Sequence, residues 1–214
     1  MSLRWPVVLF DLDGTLANSI DLIVDSYDEA FTVVTGQGVA RERALQWIGQ
    51  TLPQTFGRED PVNAAALEHA YRAYNNAHTD QITPFPGVAN LLCALRDAGC
   101  TTGVVTSKGR AAAAASLVQL GLDGLIEVLC CREDTDAHKP DPAPLMAALV
   151  KVDATPADAA YVGDAVWDIM AAQAAGMAAI AITWGAGLRD ELTSLGPDVL
   201  VDDADELREV LVSA

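Results

Sequence analysis

Two aspartates near the amino end, Asp11 and Asp13, stand where an apolar run gives out. Val7-Val8-Leu9-Phe10 has the character of a buried strand, and the carboxylates follow it into a turn containing Gly14. In extended chain, residues two apart share a side, so both acids face one site at the strand's carboxyl end, where ligands bind in open α/β sheets. Taken alone, an Asp-x-Asp pair serves equally well as a turn whose side chains bond nearby backbone N–H groups. A second acidic block, Gly163-Asp164-Ala165-Val166-Trp167-Asp168, follows the apolar run ending at Val162 and puts Asp168 one helical turn beyond Asp164. Carboxylates from Asp11 and Asp164, joined by a backbone carbonyl and water, make the hard octahedral oxygen set that Mg²⁺ prefers. Lys139 lies in His138-Lys139-Pro140-Asp141-Pro142 and is one of only three lysines, with Lys108 and Lys151. Thr106 and Ser107 end another apolar run just before Lys108-Gly109 and a helix, where a hydroxyl and free N–H groups form an anion site.

The elements that must position these residues follow from periodicity. After Asp13 comes a helical zone, with Ile20, Ile23, Val24, Tyr27 and Phe31 at helical spacing and Gly36 ending the first helix. Shorter helices are expected at about Glu42 to Ile48, Leu52 to Phe56 and Val62 to Thr79, with no strand between them. Beyond Thr83-Pro84-Phe85-Pro86-Gly87 the pattern turns to alternating helix and strand, with strands near residues 102–106, 126–130, 159–162, 178–182 and 199–201. That is the rhythm of a parallel, Rossmann-like α/β sheet. Residues 1–16 and 83–214 therefore read as one core, and residues 17–82 as an all-helical cap inserted after the first strand.

Composition narrows the partners. The chain of 214 residues carries a formal net charge of −17, with no basic footprint for nucleic acid. No apolar run approaches the roughly 18 residues of a membrane helix, and no secretory signal opens the chain. Cys93, Cys100, Cys130 and Cys131 lack metal-binding spacing and read as reduced, buried thiols, so a cytoplasmic protein is expected. Monomer and homodimer are both compatible with the pattern.

The order Asp-Leu-Asp-Gly-Thr-Leu at 11–16, then Thr106, then Lys139-Pro140, then Gly163-Asp164-x-x-x-Asp168, resembles the haloacid dehalogenase-like superfamily along essentially the whole chain. The helical insert, Pro86-Gly87 and Trp184-Gly185 resemble its phosphoglycolate phosphatase-like branch. The resemblance implies Mg²⁺-dependent hydrolysis of a small organic phosphate through an aspartyl-phosphate. Asp11 would be the nucleophile, and Asp13 the acid that protonates the leaving oxygen and then the base that activates water. Thr106 and Ser107 would hold the phosphoryl oxygens and Lys139 would neutralise charge. Asp11, the Asp13 backbone carbonyl and Asp164 would bind the metal, with Asp168 behind them or as an occasional ligand. At about 4 Å a carboxylate and a phosphate dianion repel by roughly twice the ~4 kcal/mol of one charge pair at an effective dielectric near 20. Such an attack requires the cations this set supplies.

Other reactions of the superfamily fit less well. Dehalogenation needs neither a leaving-group acid nor a metal, yet Asp13 and Asp164 are both present. Schiff-base chemistry needs a cap lysine, and residues 17–82 contain none. A phosphosugar mutase uses the same core residues, and a phosphate-binding sensor or scaffold keeps the same fold; both stand as alternatives. Substrate choice is expected from the cap, whose only Arg or Lys residues are Arg41, Arg43, Arg58 and Arg72. Arg41, Arg43 and Gln50 are the candidates for contact with the non-reacting end of a substrate.

Overall fold

Val7–Phe10 is buried at every position, which a strand achieves only with neighbours on both edges and layers on both faces. The computed structural model, which describes residues 2–213, places it in that setting. The chain runs β1 (Ser2–Leu3), β2 (Val7–Phe10) and β3 (Ala17–Asn18), then α1 (Ile20–Thr35), α2 (Arg41–Leu45), α3 (Leu52–Glu59) and α4 (Ala64–Ala77). After β4 (Thr83–Pro84) it alternates: α5 (Val88–Asp97), β5 (Thr101–Val105), α6 (Arg110–Gln119), β6 (Val128–Cys130), α7 (Ala143–Lys151) and β7 (Ala159–Gly163). It closes with α8 (Val166–Ala175), β8 (Ala178–Ile182), α9 (Arg189–Ser194), β9 (Val199–Val201), α10 (Ala204–Leu211) and β10 (Val212–Ser213).

Six strands form one parallel sheet in the order β6-β5-β2-β7-β8-β9. The chain steps outward from β2 first to one side and then to the other, so a crevice opens at the carboxyl ends of β2, β5 and β7. Alternation along β2 sends Val8 and Phe10 into an apolar layer with Leu91, Leu95 and Leu117, and Val7 and Leu9 into a second layer with Leu145, Leu149 and Ile169. This is the α/β architecture expected from the sequence.

Helices α1 to α4 bury a third cluster of their own around Tyr27, Trp47, Phe56, Leu67 and Tyr71. Tyr27 meets Trp47 and Phe56 edge-on, with ring centroids 5.1 and 5.5 Å apart; such pairs contribute about 0.5–1.5 kcal/mol each beyond area burial. Helix α1 ends at Gly36, which takes φ +80° and donates its N–H to the Thr32 carbonyl. Helix α3 opens with a capping box, in which Thr51 and Gln54 satisfy each other's backbone N–H groups.

Three differences from the sequence pattern have physical causes. Ala17–Asn18 pairs antiparallel with Thr83–Pro84, a two-residue ribbon too short to show periodicity, and it ties together the two chain crossings between the sheet and the helical insert. The strand at 126–130 begins only at Val128, because the turn Asp123–Leu125 precedes it. Helix α9 lies between β8 and β9, where only a closing strand and helix are expected; six residues with one buried side chain, Leu192, leave little apolar pattern. Cys100, Cys130 and Cys131 are buried and Cys93 is half-buried, all as free thiols.

Candidate active site

The strand ends deliver the acids. Asp11 is the first residue past β2, and its N–H donates to the Val162 carbonyl of β7 at 2.9 Å. Thr106 is the first residue past β5, held by an N–H bond to the Cys130 carbonyl of β6 at 2.9 Å. Asp164 is the first past β7. Parallel register brings these ends level, so residues far apart in the chain share one floor.

Asp164 is fully buried and almost completely bonded. Its carboxylate accepts from Thr15 Oγ1 at 2.7 Å and from the Ala186 N–H at 2.8 Å, while its own carbonyl accepts from the Gly187 N–H at 3.0 Å. Two glycines make room for it: a Cβ on Gly14, which holds φ +88°, would lie 2.2 Å from Asp164 Oδ2, and one on Gly185 would lie 2.2 Å from Asp164 Cβ. Trp184 donates its indole N–H to the Thr15 carbonyl at 3.1 Å and so fixes the loop between them.

Lys139 reaches in from the loop before α7, and its ammonium is buried between two acids. It lies 3.0 Å from Asp11 Oδ1 and 2.6 Å from Asp168 Oδ1, and it donates to the Tyr161 hydroxyl at 3.1 Å. Tyr161 in turn donates to the Val105 carbonyl at 2.9 Å. Asp168 accepts from the Ala165 N–H at 3.0 Å through its other oxygen, so both of its oxygens are engaged. Asp13 sits toward the cleft, where Lys108 Nζ donates to both carboxylate oxygens at 2.8 and 3.1 Å and Ser19 Oγ donates at 2.8 Å.

Electrostatics define what this floor lacks. Carboxylate oxygens of Asp11, Asp164 and Asp168 all lie within 4.8 Å of one another. With all three carboxylates ionised against one ammonium, two negative charges would remain, the deficit a divalent cation would balance. Burial pushes Asp11 well above the usual carboxylate range; Lys139 opposes this, and the neighbouring carboxylates add to it. Burial and then the charge of Asp168 push Asp164 up to about 7. Burial alone would lower Lys139, but Asp11 and Asp168 overcome it and hold the ammonium well above its ordinary value. Asp11 Oδ1 is buried yet accepts no hydrogen bond. With the Lys139 ammonium as its one close partner among the described residues, that oxygen stands beside a second buried carboxylate in an all-oxygen set, which fits a hard divalent ion.

Above the floor lies a cleft of about 720 Å³, counted to its open mouth, between the sheet ends and the helical insert. Asp11, Asp13, Thr106, Ser107 and Lys108 line it from below; Trp47, Gln50, Tyr71 and Arg72 line it from above. Ser107 Oγ donates across it to the Gly49 carbonyl at 2.6 Å. The structure thus brings together Asp11, Asp13, Thr106, Ser107, Lys139, Asp164 and Asp168. Of the three cap candidates, Gln50 faces the cleft, whereas Arg41 pairs with Asp21 and Arg43 with Glu59 at half-exposed positions away from it. Tyr161, Thr15 and the Lys108 pairing with Asp13 escaped the sequence. Tyr161 passes for one more apolar strand residue, although a buried tyrosine needs a hydroxyl partner, and Lys108 was distinguished only by the rarity of lysine.

Fold and site together define a class: α/β proteins with a helical insert after the first strand and a buried aspartate–lysine centre at the switch of strand order. The profile described as haloacid dehalogenase-like hydrolase matches residues 8–182, and the chain belongs to that family. The chain is 33% identical over 210 residues to pyrophosphatase PpaX of Bacillus cereus, covering 98% of this chain and 97% of that one. PpaX of Bacillus anthracis is 34% identical over 205 residues, covering 95% of each. Among solved structures, a hydrolase from Pseudomonas syringae superposes with TM-score 0.86 at 27% identity, covering 96% of this chain and 99% of that one. A protein from Haemophilus somnus, named in its structure as a predicted phosphoglycolate phosphatase, gives TM-score 0.84 at 25% identity, covering 97% and 99%. No helix among the described residues is long and apolar enough to cross a membrane.

Proposed function

We propose that this hydrolase is a Mg²⁺-dependent phosphatase that cleaves a small phosphate compound through an aspartyl-phosphate on Asp11, with residues 17–82 acting as a cap over the cleft. The observation that carries this reading is Asp11 itself: a buried carboxylate on the cleft floor, 3.0 Å from a buried ammonium and grouped with the carboxylates of Asp164 and Asp168. Relatives named pyrophosphatases and neighbours named phosphoglycolate phosphatases support the reaction class and make pyrophosphate and 2-phosphoglycolate the first substrates to test. The cytoplasm suits its free thiols.

Each residue has a task. The Asp11 carboxylate attacks phosphorus, forming the acyl phosphate as the bond to the leaving oxygen breaks. Asp13 supplies the proton to that oxygen and then removes one from the water that frees phosphate; Lys108 and Ser19 aim its carboxylate. Lys139 offsets charge between Asp11 and the transferring group, and Thr106 with the Ser107 N–H steadies the phosphoryl oxygens. Asp11, the Asp13 carbonyl and Asp164 would hold Mg²⁺, which supplies charge neutralisation at the phosphoryl group when bound. Asp168, whose Oδ1 accepts from Lys139 at 2.6 Å and whose Oδ2 accepts from the Ala165 N–H, orients Lys139. Because phosphoryl transfer asks the protein mainly for positioning and charge balance, this fixed network matches the demand.

The test is phosphate release from pyrophosphate, 2-phosphoglycolate, nucleoside monophosphates and hexose phosphates, with Mg²⁺ and with chelator, by wild type and Asp11→Asn. Metal-dependent release by wild type, reduced at least about a thousandfold in Asp11→Asn, is expected. The variant should melt no lower than wild type, because the substitution removes a buried charge and leaves Lys139 paired with Asp168. Wild-type-like turnover by Asp11→Asn would overturn the mechanism, and release from no compound would turn attention to isomer conversion by a mutase.

A further inference from the structure

Arginines are placed around the cleft in a way the catalytic steps above leave unused. In a chain with thirteen Lys and Arg against thirty Asp and Glu, the cleft wall carries three cations, Lys108, Arg72 and Arg132. Lys108 is occupied by Asp13. Arg132 stands beside it, because the Arg132 N–H donates to the Lys108 carbonyl at 3.2 Å and locks the turn after β6 to the loop after β5. Arg72 comes from the opposite side, on α4 of the helical insert.

These two arginines converge on one atom. Glu68 Oε1 accepts from Arg72 Nε at 2.9 Å and Nη2 at 2.6 Å, and it lies 3.6 Å from Arg132 Nη1. Arg72 and Arg132 both line the cleft, and Glu68, which does not, holds them together. Arg132 Nη2 also donates to Glu133 Oε1 at 3.4 Å, whereas Arg72 Nη1 and Arg132 Nε donate no hydrogen bond among the described residues. Guanidinium groups with spare donors, held by a carboxylate in the wall of a cleft, are suited to a further carboxylate or phosphate.

We propose that Arg72 and Arg132 form a subsite for a second anionic group of the substrate, carboxylate or phosphate, remote from the phosphorus that Asp11 attacks. The inference rests on the phosphatase reading and narrows it to substrates with two anionic groups. Arg132 belongs to the sheet side and Arg72 to the helical insert, so one anion touching both ties the two walls of the cleft. Binding energy from the remote group is thereby spent on closing the site around the reacting one.

The experiment compares the full-length enzyme with Arg132→Gln and Arg72→Gln on pyrophosphate, 2-phosphoglycolate and phenyl phosphate, the last having no second anion. The readout is the ratio of kcat/KM for each doubly anionic substrate to that for phenyl phosphate, which partial unfolding does not move. Each variant should lower that ratio by about ten- to a hundredfold, as for loss of a hydrogen bond between charged groups. An unchanged ratio, or wild-type turnover of phenyl phosphate alone, overturns the subsite. If wild type turns over none of the three, titration calorimetry with pyrophosphate and 2-phosphoglycolate separates the two ideas. Binding that Arg132→Gln weakens by about tenfold or more keeps the subsite, and no release from nucleoside monophosphates or hexose phosphates either then removes the phosphatase reading. No binding, or binding equal in the variant, removes the subsite as well.

Discussion

The floor of the cleft and the helical insert above it hold charged side chains in opposite ways. On the floor, Asp11, Lys139, Asp164 and Asp168 are each at least nine-tenths buried, and each charge is held by backbone N–H groups or a neighbouring side chain. On the helical insert, Arg41, Arg43, Arg58 and Arg72 make ion pairs with 39–61% of the arginine side chain exposed. A buried charge that loses its partner cannot call on water, so the floor is rigid and intolerant of change. An exposed pair is nearly balanced against hydration and can exchange one anion for another at small cost. On the function proposed above, the difference would separate the chemistry, which needs fixed charge, from selectivity, which needs charge that can be handed over.

The strongest way to break that comparison is Lys139→Met. It leaves Asp11 and Asp168 facing each other without compensation, and urea denaturation should show a loss of about 3–5 kcal/mol with phosphate release at background. A loss below about 1 kcal/mol would mean that the floor carries no real charge burden.

A smaller effect comes from protons. Asp164 stands at about 7 in the folded chain against 3.8 for an ordinary aspartate, so between those values the native state binds a proton that the unfolded chain has released. The stability this confers is full below the unfolded value and is lost as pH rises through the folded one. The metal-free protein should therefore weaken from about pH 4 to about pH 7, by up to about 1.4 kcal/mol per pH unit in that window. Saturating Mg²⁺ should raise the melting temperature more at about pH 8 than at about pH 5, because protons compete for the same oxygens. A Mg²⁺ effect independent of pH would detach the metal from Asp164.

The least effect is expected on the insert's outer surface. Arg41→Ala breaks an exposed pair with Asp21 and should change stability by less than about 1 kcal/mol, with kcat/KM within about twofold of wild type. A large kinetic effect there would sharpen the comparison differently, by showing that the cap rearranges to bring Arg41 into the cleft.

The parallel sheet and the four-helix insert were legible because burial imposes period: Val7–Phe10 and Ala159–Val162 are continuous apolar runs, and α1 repeats its apolar residues every three or four positions. Short elements without such a stripe, the ribbon of Ala17–Asn18 with Thr83–Pro84 and helix α9, were not. Within the site, residues at strand ends could be picked from the sequence because position at a strand terminus is a local property. Tyr161 could not, since its place in a buried strand hides the hydroxyl that braces Lys139. Nor could the cap arginines be ranked, since four arginines on neighbouring helices differ only in which face each helix turns to the sheet.

The sequence by itself determined that two acids follow the first strand, that a lysine stands just ahead of two prolines in an acidic chain, and that helices interrupt an α/β pattern. Only the tertiary structure decided that Lys139 lies between Asp11 and Asp168, that Lys108 pairs with Asp13, and that Arg72 and Arg132 share Glu68. The reason is physical. Strand and helix formation answer to neighbours a few residues away, whereas an ion pair depends on parallel register and packing between segments far apart in the chain, which no local stretch of sequence records.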